Sequence, residues 1–369
     1  MTSEPRIVPQ AEIDDDELEV DDEGLVSPNG TLYEHRRVVA DKGQALLRVD
    51  KFLMEHLHDT SRARIQRAAE LGYIHVNDRS VKSNYRVKPL DVVTLMLDYP
   101  RIETEIIAED IPLNIVYEDR ELLIVNKPAG MVVHPGVGNY SGTLINALAW
   151  HLRENPLYNP NDPSVGLVHR IDKDTSGLLV VAKTAEAKTD LCHQFFVKST
   201  QRTYNALVWG SFDTKEGRIE GNIGRDPRDR QRMAVFPPDS GIGKSAVTHW
   251  RVLEAFGPVT WVECVLETGR THQIRAHMKH IGHPLFADDR YGGYEILRGQ
   301  STAKYKTFVQ NAFDLCPRQA LHARTLGFVH PTTHKQMFFE SDLPEDLSLL
   351  LGKWRNLYSN PTPLLGKRK

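Results

Sequence analysis

Between positions 165 and 182 the chain runs apolar, polar and apolar again. Val165-Gly166-Leu167-Val168 leads in, and Leu178-Leu179-Val180-Val181-Ala182 leads out. Between them lies His169-Arg170-Ile171-Asp172-Lys173-Asp174-Thr175-Ser176-Gly177. Short β-branched runs bounded by glycine and polar residues read as strands. The polar stretch therefore sets an acid and a base side by side at a turn. Loops held by rigid strands are where enzymes tend to keep their chemistry.

Strand-like and helical patterns continue to about position 358. Apolar β-rich runs occur at 113–117, 122–126, 206–209, 260–266 and 337–340. Helical patterns begin at 142–148 and fill 185–196 and 272–280. Strands and helices without strict βαβ alternation predict an α+β domain over 113–358 with a mixed, largely antiparallel sheet. A smaller α/β unit is expected over 46–100. It has helices at 49–57 and 62–71, the second opened by Asp59-Thr60-Ser61 as N-cap and closed by Gly72. Strands follow at 73–76 and 92–97, with Asn77-Asp78 as a turn. Residues 1–45 read as tail and leader, 101–112 as a linker, and the Pro- and Lys-rich 359–369 as a C-terminal tail.

In the small unit, Arg62, Arg64 and Arg67 share the second helix, while Ile65, Ala68 and Leu71 face inward. Arg79 and Lys82 lie close by in sequence. Clustered cations on a small helix–hairpin unit make a phosphate-binding surface. Ordinary solvated charge is the competing reading, since 46–100 sums to only +2. The concentration of arginine on one helix and its flanks favours nucleic acid.

Charge supports the same partner once the N-terminus is set aside. The formal net charge is -3, but residues 1–24 hold ten acids and one base. The remainder carries 45 bases against 39 acids. A block of like charge this dense reads as a disordered, solvating tail. With 40% hydrophobic and 26% charged residues, the chain belongs with globular proteins. No run approaches the ~20 apolar residues of a membrane span, and no signal-peptide pattern opens it, so a cytoplasmic protein is expected. Three separated cysteines, Cys192, Cys264 and Cys316, suggest buried thiols rather than a disulfide or zinc framework. His272, His277, His280 and His283 raise the question of a metal, but no convincing carboxylate or thiol completes a site. The glycine-rich 136–142 lacks dinucleotide spacing.

Four blocks, in order along the chain, resemble one family. They are Asn126-Lys127-Pro128-Ala129-Gly130 with His134-Pro135, then His169-Arg170-Ile171-Asp172, then 202–210 from Arg202-Thr203-Tyr204, then Thr268-Gly269-Arg270-Thr271-His272-Gln273-Ile274-Arg275-Ala276-His277. Leu321-His322-Ala323 is a further echo. Together they resemble the pseudouridine synthases of the RluA/RluD type, where leucine more often stands in place of Ile171. The order of elements in 46–100 is similar to the alpha-L RNA-binding domain shared with a ribosomal small-subunit protein.

That resemblance implies an RNA uridine isomerase that works without a cofactor. The bond from ribose to nitrogen 1 breaks, the base turns, and carbon 5 bonds to the ribose, so atoms are rearranged with no net redox change. It also implies roles. Asp172 acts as nucleophile or as base, Arg275 pairs with it, and Tyr204 stacks on the uracil. Arg170 fills the space left by a flipped nucleotide, and Ile274 walls the pocket. His169 is expected at the substrate. Asp174 is expected to cap or turn. A catalytically idle RNA-binding factor and an RNA glycosidase or nuclease are the competing classes. The first is disfavoured by Asp172, Tyr204 and Arg275 all being present, the second by the lack of a second placed carboxylate or a metal cluster. The domain order favours large-subunit ribosomal RNA over transfer RNA as partner, and a monomer is expected.

Overall fold

The computed structural model describes residues 32–57, 62–97, 106–135, 139–156, 164–229 and 231–358. The acidic tail, the proposed 59–61 cap, the glycine-rich 136–138 and the C-terminal 359–369 lie outside them. The chain divides into two units.

The small unit contains β1 (Tyr33–Val39), α1 (Val49–His56), α2 (Arg62–Glu70), β2 (Ile74–Val76), β3 (Arg79–Ser80) and β4 (Val92–Leu97). Its antiparallel sheet has the order β1-β4-β2-β3. β1 corrects the sequence reading, because it lies inside the stretch taken as tail and leader. It alternates outward charge with half-buried positions, a pattern too polar to register as a strand without β4 beside it. Val49, Phe52 and Leu53 of α1 meet Ile65 and Ala69 of α2 over Ile74, Val76 and Val93. Leu71 was expected inside but is 50% exposed. Gly72, at φ +80°, turns the chain so that Tyr73 N–H bonds to Ala68 O, and Leu71 falls beyond the last buried turn. Asn77 and Asp78 both have positive φ, the geometry of a tight two-residue hairpin.

The large unit contains β5 (Ile115–Glu118), β6 (Leu122–Lys127), α3 (Leu144–Leu152), β7 (Ser176–Ala182), α4 (Ala185–Phe196), β8 (Gln201–Trp209), β9 (Glu216–Arg225), β10 (Met233–Phe236), β11 (Lys244–Ala255), β12 (Val259–Leu266), α5 (Gln273–His280), α6 (Ala303–Leu315), β13 (Leu321–Val329), β14 (Gln336–Glu340) and α7 (Glu345–Leu357). Its ten-stranded sheet runs β10-β9-β11-β12-β8-β13-β7-β6-β5, with β14 on β13. Only the β13–β7 pairing is parallel among the described strands. This is the expected α+β architecture with antiparallel pairing dominant.

Strands β6 and β7 are almost wholly apolar because both faces are covered. Leu123, Val125, Leu179 and Val181 face one core with α3. Leu122, Ile124, Leu178, Val180 and Ala182 face another with α4. A third core joins Trp209 and Phe286 to Phe313 of α6 and Trp354 of α7. The expected linker is shorter than read. Ile106 packs on the first core, and Glu109 N–H bonds to Asn146 O, so this stretch is docked on α3. No helix among the described residues is long and apolar enough to cross a membrane.

Candidate active site

The turn before β7 is held by its own backbone. Two glycines bracket it. A Cβ on Gly166 would meet Ala182 O at 1.9 Å, and one on Gly177 would meet Ala323 O at 2.2 Å; both residues have positive φ. Only glycine lets the turn lie this close to the end of β7 and to β13. The carbonyls of the turn are then taken one by one. Thr175 N–H donates to Asp172 O at 3.1 Å. Gly130 N–H and Lys127 Nζ donate to Lys173 O at 3.0 and 2.8 Å. Arg318 Nη1 donates to Asp174 O at 2.8 Å. Lys127 is fully buried and gives its other protons to Pro128 O and Met131 O. Arg318 is itself clamped by Asp346 at 2.7 and 3.0 Å.

This frame presents Asp172 to a cleft enclosing about 540 Å³, counting the space that opens to solvent. Arg170, Tyr204, Ile274 and Arg275 line the same cleft. Tyr204 comes from β8, where it lies opposite Cys264 of β12 and Ala323 of β13. Ile274 and Arg275 come from the first turn of α5. That turn is pinned by Gln273, whose Nε2 donates to Val247 O and Thr248 Oγ1 and whose Oε1 accepts from Thr268 Oγ1. His272 precedes the helix at φ +52°, a conformation that costs energy in a non-glycine residue and gathers at functional sites.

Arg275 Nη1 donates to Asp172 Oδ2 at 3.1 Å. Its Nε and Nη2 donate to Asp288 at 2.8 and 3.0 Å, a two-pronged pairing that fixes the guanidinium plane. Asp288 is fully buried, Arg275 is 3% exposed, and Asp172 is 15% exposed. Burial alone would raise the Asp172 carboxyl. His272, Arg275 and Arg170 outweigh it and hold the group below its ordinary value. The outcome is an ionised carboxylate in a confined cleft beside a tyrosine ring.

His169 does not join this group. Its Nε2 accepts Val180 N–H at 3.1 Å, and its ring stacks on Phe195 at 4.5 Å. Burial lowers it to about 3, with Arg202 adding to the effect, so it is a neutral core residue. The expectation that it meets substrate is corrected: it points to the α4 core, because alternate residues of an extended segment face opposite ways. Among the described residues no cluster could hold a metal ion. His277 bonds to Thr248 and His283 to Trp209 O, on separate strands.

In the small unit the expected RNA-binding cations divide. Arg62 donates to Asp50 Oδ2 at 3.1 Å, so its guanidinium is committed within the unit. Arg67 pairs with Glu70 at the surface. Arg79 and Lys82 are exposed. Arg64 lies on α2, and its side chain is outside the described set.

Sequence reasoning missed Asp288 and Arg318. Asp288 stands in Phe286-Ala287-Asp288-Asp289, with no periodicity to mark it. A signal did exist: an arginine buried in a helix and paired with one carboxylate still has protons to satisfy, so a second buried acid is required.

Comparison with known proteins gives the family. The model of the family described as RNA pseudouridylate synthase matches residues 121–280, and that of the S4 domain matches 47–93. The chain is 44% identical over 322 residues to the uncharacterized RNA pseudouridine synthase YlyB of Bacillus subtilis, covering 86% of this chain and 97% of that one. It is 47% identical over 274 residues to ribosomal large subunit pseudouridine synthase D of Pseudomonas aeruginosa, covering 73% and 82%. Among solved structures, human RNA pseudouridylate synthase domain containing 4 matches with a TM-score of 0.51 at 22% identity, over 66% of this chain and 93% of that one. That likeness concerns the fold.

Proposed function

The chain belongs to the RNA pseudouridine synthase family and carries an S4 domain, and from that premise we propose that it isomerises uridines of large-subunit ribosomal RNA, in the cytoplasm, through Asp172. The observation that carries the mechanism is the 3.1 Å pair of Arg275 with Asp172 in the cleft that Tyr204 lines. A uridine inside folded RNA is out of reach, so the nucleotide flips into the cleft. Tyr204 offers a ring face to the uracil, and such stacking contributes roughly 1–3 kcal/mol per base. Ile274 walls the cleft, and Arg170 takes the place the nucleotide leaves in the RNA.

Asp172 then attacks the ribose or removes one of its protons, either of which needs its ionised form. The bond to nitrogen 1 breaks with its electrons going to the base. The base turns within the cleft and carbon 5 bonds to the ribose, which breaks the Asp172–ribose bond on the first route or returns the ribose proton from Asp172 on the second. The hydrogen on carbon 5 leaves as a proton and nitrogen 1 takes one up. Arg275 keeps the carboxylate charged and aimed, and Asp288 keeps Arg275 in place. The S4 domain supplies affinity through Arg79 and Lys82, with Arg64 of α2 as a further candidate.

The target is supported by the relatives named ribosomal large subunit pseudouridine synthase D. Mapping pseudouridines in large-subunit RNA from cells with and without the gene tests it. Sites that disappear with the gene and return with it are expected. An unchanged large-subunit map, with losses in transfer RNA, would contradict the target.

A further inference from the structure

At one edge of the large sheet lies an arginine-rich hairpin. Among the described residues β10 is the terminal strand and pairs only with β9, Met233 opposite Arg225. Arg225, Arg228 and Arg232 belong to this hairpin; Arg225 and Arg228 are exposed, and Arg232 pairs with Asp229 at 2.9 Å. The tip is stiffened from within. Asp226 N–H bonds to Arg232 O at 2.9 Å, and Asp226 and Asp229 accept from Arg228 N–H and Gln231 N–H. Cations on a stiff hairpin suit an RNA backbone.

Beneath the hairpin, Met233 and Val235 pack on Ile223, Ala246, Ala276 and Tyr291. Tyr291 is 3% exposed and reaches in four directions. Its hydroxyl oxygen accepts Met233 N–H at 2.9 Å, using an edge donor that no strand takes up. The same hydroxyl meets His272 Nδ1 at 3.1 Å. Its ring lies 5.0 Å from the Arg275 guanidinium, and its backbone N–H donates to Asp288 Oδ1 at 3.1 Å. One residue thus touches the hairpin, the strained start of α5 and the guanidinium through its side chain, and the acid that anchors the guanidinium through its backbone. Arg290 adds a second tie, donating to Gln231 O at 3.2 Å. A shift of β10 that stretches the Met233 bond leaves a buried phenol short of a partner, so hairpin and cleft favour the same arrangement.

We propose that Tyr291 is a positioning residue that couples RNA held at Arg228 on the β9–β10 hairpin to the Asp172–Arg275 pair, so that a hairpin contact sets the rate of isomerisation and not affinity alone. This rests on the functional reading above. The contact carries no chemistry itself. It selects the hairpin position in which Arg275 is aimed.

The test is a double-mutant cycle on the full-length protein with Arg228→Ala, Tyr291→Phe and both. Phenylalanine keeps a ring against Arg275 and removes only the hydroxyl. The probe is RNA from cells lacking the gene, labelled with tritium on uridine carbon 5, and tritium release under saturating enzyme reports the rate. Arg228→Ala is expected to slow release about fivefold alone but about 1.5-fold or less in the Tyr291→Phe background. Its loss of RNA affinity is expected to be equal in both backgrounds, which a merely structural role for Tyr291 does not predict. Rate effects that multiply, or an Arg228→Ala effect confined to affinity, would overturn the coupling. Should Tyr291→Phe not fold, Met233→Pro removes the same bond from the hairpin side, at an edge where proline is tolerated, and the cycle is read in the same way. Wild-type protein that releases no tritium would sink the functional reading itself, whereas multiplying rates in an active enzyme sink only the coupling.

Discussion

Asp50 of the small unit and Asp172 of the large one are both carboxylates held by arginine, and they are wired in opposite senses. Asp50 has a fully buried side chain and accepts from Arg48, Arg62, Gln66 and the Lys51 N–H. Its arginines are 40% and 47% exposed. Burial raises Asp50, but Gln66, Arg48 and Arg62 drive it down to about 2. At Asp172 the cation is the saturated partner. Arg275 is the buried group, with its remaining edge on Asp288, while Oδ1 of Asp172 has no donor among the described residues. Asp50 has its lone pairs filled; Asp172 keeps an oxygen available, as the proposed reaction requires, and the satisfaction moves to its partner.

The sharpest way to break this comparison is to neutralise the two acids in turn. Asp172→Asn is expected to slow pseudouridine formation by at least about 10³-fold, with RNA binding and thermal unfolding close to wild type. Next, Asp288→Ala leaves a buried guanidinium half paired. It is expected to cost about 3–5 kcal/mol in denaturant unfolding of the large unit, with a slower rate as Arg275 loses its aim. Asp50→Ala strips several donors of one acceptor and is expected to cost about 2 kcal/mol. Hydrogen exchange should confine that loss to residues 32–97, and spread of the loss into the large sheet would contradict it.

Acid gives the most gradual contrast. In the large unit burial lowers His169 to about 3 and both His277 and His322 to about 4, aided by nearby cationic or imidazole groups, from an ordinary 6.5. Protons then bind the unfolded chain more readily. The stabilisation is complete above pH 6.5 and falls as pH drops through the window down to the folded values, by about 1.4 kcal/mol per unit for each histidine. Asp50, depressed from 3.8 to about 2, keeps its contribution until pH falls below 3.8. Between about pH 6 and 4.5 the large unit should therefore lose hydrogen-exchange protection before the small one. The reverse order would count against the buried neutral histidines.

What the sequence revealed follows the range of the forces involved. Strands β6 and β7 were legible because burial on both faces leaves continuous apolar runs. Helix α4 was legible to its ends because Thr184 caps it, accepting from Ala187 N–H. Strand β1 was not, since its polar face makes sense only once β4 supplies its ladder. Arg275 and Asp172 stand 103 positions apart, and only the family motifs linked them in advance. Asp288, Tyr291 and Arg318 carry no local signal, because each is defined by what it touches across the fold. Arg62 shows another limit: its position on an arginine-rich helix suggested RNA, and its pairing with Asp50, 12 positions away, was not legible.

The claim on which the rest depends is that Asp172 stays ionised inside its cleft. A carbon-13 titration of the side-chain carboxyls, with Asp50 as internal reference, measures this directly. Both resonances should hold their charged-form shift from about pH 8 down to about pH 5, with Asp172 titrating below the ordinary aspartate range. An Asp172 carboxyl that takes up its proton at or above that range, while Asp50 does not, would contradict the account.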